Sequence, residues 1–561
     1  MLNKISLIII FLIFFTCDSS PKEGWNKYLH SEDIIMAQET ISTDLLSDYI
    51  TTLSSDEFEG RKPATAGGKK TIKYLIDTFK EMNLKPGNPN GTWTQEVKML
   101  GIRSNLRSQF ITDEERWVMD TGEDIIGNTY LKKSKVNLQK VDLVFCGYGV
   151  TAPEYDWDDY KDIDVKNKVV VVLVNDPPVK KGDKLDPDMF KGNTMTYYGR
   201  WSYKYEEAMK RGAAGAIVIH EDIPAGYPFS VLQSGYTTER LTIEKNKSLK
   251  FEGWIPVATA ERLFTMGGLN FNEIKAKANN PNFKSFKMNV QFTSRISNKY
   301  RTVKSKNVVA LYEGSDPELK NEYIIYTAHW DHLGINKKLS GDKIYNGAVD
   351  NASGTGMIMA AAKAFTALNE GTRRSILFLA LTAEEEGLLG ANYYNTNPLY
   401  PLNQTLAVIN IDGMGNTFGR TKDLIIVGKD NSNLDQIVEM AAKQDKKYIL
   451  PNPEPEKGYF YRSDHFEFAK MGVPSLYVNS GVDIRGKNKK YGLEKRNEYI
   501  KQHYHALSDE IKDDWTFDGL VEDNKILLRV GYAISQHSDW PAWNEGAEFK
   551  SQRDRMMLGE E

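Results

Sequence analysis

Beyond about residue 296 the chain alternates unbroken apolar runs with amphipathic stretches, and this rhythm restricts its fold more than any other feature. NEYIIYTAH, RSILFLALTAE, TLAVINIDG, DLIIVG and PSLYVNS carry little polar alternation, as strands buried on both faces should. MIMAAAKAFTALN, the stretch near LLGANYYN and NLDQIVEMAAKQDK read as the helices between them. The alternation predicts an α/β fold with a mainly parallel central sheet flanked by helices. Upstream, GGKKTIKYLIDTFKEMNLKPG sets Ile72, Leu75, Phe79 and Met82 at helical spacing, with Pro86-Gly87 as the stop.

A chain of 561 residues is too long for one compact core. The style changes near Val141, where LVFCGYG and KVVVVLVND are β-branched runs bounded by turn residues, and YKYEEAMKRGAAGAIVIHE reads as helix, glycine break and strand. The expected division is a first part of the main domain over 38–110, a β-rich insertion over 111–295, the main part over 296–546 and a polar tail over 547–561. At the start, Lys4 precedes an apolar run from Ile5 to Phe15, the layout of an export signal and short of the roughly 20 residues a spanning helix needs. Cys17 closes that segment and resembles a bacterial lipoprotein attachment cysteine. It implies an exported chain, periplasmic or at the cell surface, tethered to a membrane through residues 18–37. Cys146 is the other cysteine, so no intramolecular disulfide is expected once Cys17 carries lipid. With 72 basic and 76 acidic residues the net charge is −4, which does not favour a nucleic-acid partner.

In an open α/β sheet, ligands gather beyond the carboxyl ends of the strands. There the sequence places His329 with Asp331 and His332, then Glu384-Glu385-Glu386, then Asp412. Asp350 lies in a loop between the first two groups, and His503 and His505 follow downstream. Five of the eight histidines (His329, His332, His465, His503, His505) fall in or beside these segments. Imidazole and carboxylate together suit zinc. Two histidines with three carboxylates exceed the needs of one tetrahedral ion, and a shared carboxylate between two ions uses all five. His332 and His503 read as supporting or structural residues.

TAHWDHLG, NGAVDNASGTG, LTAEEEGLLGA, INIDGMG, RSDHFEFAKMGVPSL and YHALSDE resemble, in order, the signature segments of the co-catalytic zinc aminopeptidase family. That family also includes the glutamate carboxypeptidases and the non-catalytic transferrin receptor. FEGRKPATAGG is similar to its N-terminal signature, and 111–295 resembles the protease-associated domain that several members insert. The resemblance covers most of residues 40–540. It implies a metallopeptidase holding two zinc ions per chain and acting on peptides. His329 and Asp412 would hold one ion, Glu385 and His505 the other, and Asp350 would bridge them. Glu384 would be the general base, and Asp331 would orient His329. Tyr459, Tyr461, Arg462 and His465 are candidate substrate-binding residues. The resemblance further implies a cis peptide bond between Asp350 and Asn351. An aminopeptidase is the leading expectation; a carboxypeptidase-like enzyme, favoured by an arginine cluster, and a non-catalytic binding module are the alternatives.

Overall fold

In the computed structural model, residues 21–236, 239–244, 247–413 and 417–560 are described. The export signal and Cys17 lie outside them. The central sheet of the C-terminal half is built from β2 (Phe286–Tyr312), β3 (Tyr323–His329), β4 (Ser375–Leu381), β5 (Thr405–Asn410), β6 (Asp423–Val427), β7 (Tyr448–Pro451) and β8 (Ser475–Ser480). Their order across the sheet is β7-β6-β8-β5-β3-β4-β2. β4, β3, β5 and β8 run parallel, as the continuous apolar runs require, while β2 is antiparallel to its neighbours and β6 is antiparallel to β8 but parallel to β7. All residues of β3, β4 and β5 are buried. On one face pack the helices α2 (Gly354–Thr366) and α3 (Asp518–Gln536), whose apolar sides join one core with the strands.

The sheet does not stop at the domain boundary read from sequence. β1 (Thr94–Ile111) pairs with β2 from Val308 down to Gln291, and the far half of β2 then pairs with the strand Lys135–Phe145. Both strands cross the expected breaks at 110/111 and 295/296, so the two halves share one hydrogen-bonded sheet. The middle region is less purely β than expected. Parallel strands Val169–Leu173, Gly215–His220 and Phe251–Pro256 alternate with the helices Trp201–Lys210 and Val257–Met266. This region has apolar cores of its own on either face of those strands.

Both polar ends differ from their readings. From Pro21 onward the expected tether is folded: α1 (Pro21–Leu29) and the helix Glu32–Ala37 bury Trp25, Leu29, Ile34 and Ala37. The Trp25 ring stacks on His537 at 4.0 Å. Asp33 accepts hydrogen bonds from the N–H groups of Asn369 and Glu370 at 2.7 and 3.0 Å. At the other end the helix Lys550–Leu558 replaces a loose tail, because Arg553 donates to the carbonyls of Leu402 and Thr405 at 3.1 and 3.0 Å. Polar composition misled here: sparse apolar residues suffice when each is buried. Leu29→Ala is expected to cost about 2–5 kcal/mol of unfolding free energy in a denaturant titration. A loss under about 0.5 kcal/mol would restore the tether reading.

Candidate metal centre

Three neighbouring parallel strands end at one edge and deliver the cluster. His329 is the last residue of β3, Glu384 and Glu385 follow β4, and Asp412 follows β5. Asp350 arrives from the turn before α2, and His505 from the loop after the helix Lys489–Gln502. The turn holding Asp350 needs Gly347 at φ 56°, since a Cβ there would stand 2.1 Å from the Asp350 carbonyl oxygen. The Asp350–Asn351 peptide bond is cis.

All five residues read as ligands converge. Asp350 Oδ1 lies 3.3 Å from His329 Nε2, and its Oδ2 lies 3.1 Å from His505 Nε2. His329 Nε2 is also 3.2 Å from Asp412 Oδ1, and His505 Nε2 is 3.0 Å from Glu385 Oε2. Glu384 Oε2 stands 4.0 Å from His329 Nε2. His332 joins the cluster more closely than its sequence reading as a supporting residue required, with Nδ1 2.6 Å from Glu385 Oε1. His503 remains outside, bonded to Ser508 and Lys512. The Asp331 carboxylate accepts the Glu384 N–H at 3.1 Å, and its backbone carbonyl meets His329 Nδ1 at 3.2 Å. It therefore orients Glu384 by its side chain and His329 by its main chain.

The chemistry of this donor set fits cations. Asp331, Asp350, Glu384, Glu385, Asp412 and Asp464 crowd a site where the opposing charges are imidazoles and the buried Arg61 guanidinium. Burial lifts Glu384 well above the ordinary glutamate value, and Asp412, Glu385 and Asp464 reinforce that against the charge of His329. Burial works to raise Asp350 too, but the hydrogen bonds from His329 and His505 hold it well below the usual carboxylate range. His505, despite burial, is pushed up to about 11, by Glu385 first and then Asp350. Protons on the imidazoles thus balance charge that divalent ions would neutralise better. Neutral imidazole with carboxylate oxygen is the ligand mixture of zinc.

Sequence reading missed several supporting groups. Tyr504 stacks on His505 at 4.0 Å; the residue is 52% exposed, and desolvation of its phenol, followed by the charges of Asp350, Glu385, Glu384 and Asp412, raises it above the ordinary value. Its place directly before a ligand histidine was the available signal. Asp509 accepts the N–H groups of Val349 and Asp350 at 3.0 and 3.1 Å. Arg61, within the FEGR segment, donates to the carbonyls of Trp330, Leu53, Asn346 and Gly347.

The substrate-binding candidates divide. Tyr461 gives its hydroxyl to Glu548 at 2.8 Å and Tyr459 gives its own to Glu454 at 3.5 Å, so neither offers a phenol to the cluster. His465 is buried among Phe460 and Tyr477. Arg462 lies over Tyr459, its Cζ 5.6 Å from the ring centre.

Residues 307–527 match the sequence profile of peptidase family M28. This segment is similar to the peptidases of that family. Over 134 residues, 23% of this chain, the sequence is 31% identical to Aminopeptidase NAALADL1 of Mus musculus, and the match spans 16% of that relative's length. Among solved structures, the aminopeptidase from Aneurinibacillus sp. strain AM-1 aligns over 92% of this chain and 97% of its own, with TM-score 0.46 and 16% identity. The zinc aminopeptidase BSAP of Bacillus subtilis aligns over 91% and 98%, with TM-score 0.43 and 16% identity. The matched segment contains all five converging residues and Glu384.

Burial pulls His465 down to about 3, against a weaker upward pull from the Phe460 backbone carbonyl. Its folded value lies below the unfolded value of about 6.5, so only the unfolded chain gains a proton between them. The stabilisation is therefore present above about pH 6.5 and is lost as pH falls, at about 1.4 kcal/mol per unit. Denaturant titrations at about pH 7 and about pH 5 should show His465→Phe losing about 2 kcal/mol less than the parent over that interval. Equal losses would place the ring in contact with water.

Proposed function

We propose that the chain is an exported, zinc-dependent exopeptidase that holds two zinc ions and removes residues from the N-terminus of peptides. One observation carries the reading: Asp350 divides its oxygens, Oδ1 towards His329 and Oδ2 towards His505, at 3.3 and 3.1 Å. One ion would be held by His329, Asp412 and Asp350, the other by His505, Glu385 and Asp350. When bound, two such ions polarise a substrate carbonyl and acidify a water towards a pKa of about 7.

The chain's own groups carry the proton and the geometry. Glu384 accepts the proton of the attacking water and returns it to the departing amine. Asp331 fixes the Glu384 backbone, and Arg61 with Asp509 fixes the turn bearing Asp350. Tyr504 donates its phenol O–H to the oxyanion as the carbonyl becomes tetrahedral. The name of the mouse relative, an aminopeptidase, supports action at an N-terminus. Residues 111–295, which resemble a protease-associated domain, would border the cleft. The Ile5–Phe15 run and Cys17 support export and a lipid tether.

Glu384→Gln should keep about two zinc ions per chain by metal analysis while kcat on aminoacyl-p-nitroanilides falls about 10²–10⁴-fold. Tyr504→Phe should lose about 10–10²-fold in kcat at a preserved zinc content. Chelation should abolish turnover and added zinc should restore it. Full turnover by Glu384→Gln, or a chain that takes up no zinc on dialysis against it, would overturn the reading.

A further inference from the structure

We propose that the edge of the sheet where β3, β4 and β5 begin faces a lipid bilayer, so that the metal cleft and, beyond it, the middle region stand outward. The inference rests on the lipid tether proposed above and assigns the surface that meets the membrane. Three residues separate Cys17 from Pro21, the first residue of α1, a reach of at most about 14 Å in any arrangement. The seat of α1 on the body therefore decides which face an acylated Cys17 holds against lipid.

That seat is the start of the parallel strands. Trp25, one helical turn after Pro21, is buried with its ring on His537 at 4.0 Å, and a side chain on Gly24 would run into the same imidazole. His537 follows α3, and its carbonyl accepts from Arg374, the residue before β4. Ser375, which opens β4, donates its N–H to the Glu322 carbonyl at 3.1 Å, beside the first residue of β3. The metal cluster lies at the other ends of these strands, where His329 closes β3 and Glu384 and Glu385 follow β4. The seven residues of β4, at about 3.3 Å each, set the two edges roughly 20 Å apart.

β2 extends the same axis. Its Tyr312 end pairs with Ile376 at the edge near α1, and Val308 pairs with Ala380 near the metal edge. From there back to Phe286 the strand runs on past β4 and pairs with Lys135–Phe145, so the middle region is carried on the side remote from α1. Glu318, Glu370 and Asp539 are exposed at the α1 edge together with Lys320. That mixture of signs does not attract anionic lipid, and the acyl chains set the contact. A cleft held off the bilayer in this way takes peptides free in the compartment, and the end of a membrane-bound chain only where it projects as far as the cleft.

The test reconstitutes the full chain into phosphatidylcholine vesicles containing a fluorescent acceptor lipid. A donor dye, coupled through an unnatural side chain, is placed in turn at Glu370, Lys338 and Val118, exposed residues of the α1 edge, the metal edge and the middle region. Energy transfer should be strongest from Glu370, weaker from Lys338 and weakest from Val118. Transfer from Lys338 or Val118 that equals or exceeds that from Glu370 would overturn the proposal. In the same vesicles a lipid-linked peptide on a spacer of about 10 Å should be cleaved at least about tenfold more slowly than one on about 60 Å, because the short spacer does not span the gap. Equal cleavage of the two would also overturn it. If neither peptide is cleaved, the peptidase reading falls and the order of energy transfer still decides the orientation. Mass analysis separates the tether reading in the same manner. A Cys17 without acyl chains removes that reading, and a diacyl maleimide coupled to Cys17, with Cys146 buried, then upholds or overturns the orientation by the same order.

Discussion

The metal centre depends on a cation that is part of the chain. The Arg61 guanidinium is buried and bonds the carbonyls of Leu53, Trp330, Asn346 and Gly347, with the Asp350 carbonyl at 3.5 Å. These carbonyls belong to the N-terminal helix Thr43–Leu53, to the residue after His329 and to the turn that presents Asp350. Buried carbonyls without donors cost about 1–3 kcal/mol each. One side chain therefore satisfies several groups whose alignment sets the distance between His329 and Asp350. Asp509 does the same from the opposite side, accepting the N–H groups that point away from the turn. The position of Asp350 is fixed by hydrogen bonds to the main chain of its turn.

The same economy governs the charges. The cluster concentrates carboxylates in a place where desolvation alone would protonate them, and the imidazoles hold Asp350 and Glu385 ionised while Glu384 is lifted. Glu384 and Glu385 are adjacent in sequence yet pushed in opposite directions. The difference lies in partners: Glu385 sits against His505 and His332, at 3.0 and 2.6 Å, and Glu384 has only the more distant His329. Neighbouring carboxylates with separated proton affinities are what an acid–base step beside a cation site requires.

Much of this was legible in the chain. The strand runs located β3, β4 and β5, and the rule that ligands lie beyond carboxyl ends picked out His329, Glu384, Glu385 and Asp412 before any coordinates. His505 and Asp350 came from ordered motifs, because loops carry no periodicity to read. Other features were not legible for physical reasons. The place of Tyr504 directly before His505 was its one signal in the sequence, and Tyr459 and Tyr461 were read as the phenols instead. Residues 21–37 looked like a tether because few apolar side chains there are enough when each is buried.

The strand Phe286–Tyr312, at 27 residues, is hydrogen-bonded to the catalytic sheet at one end and to the middle region at the other. Such a girder transmits bending but resists rotation of one half against the other. Any widening of the cleft must then come from the loops at its rim, around Pro455–Arg462 and the segment before Arg200. An evolutionary exchange of the middle region would have to carry both ends of that ribbon with it, so changes of selectivity are more easily made one rim residue at a time.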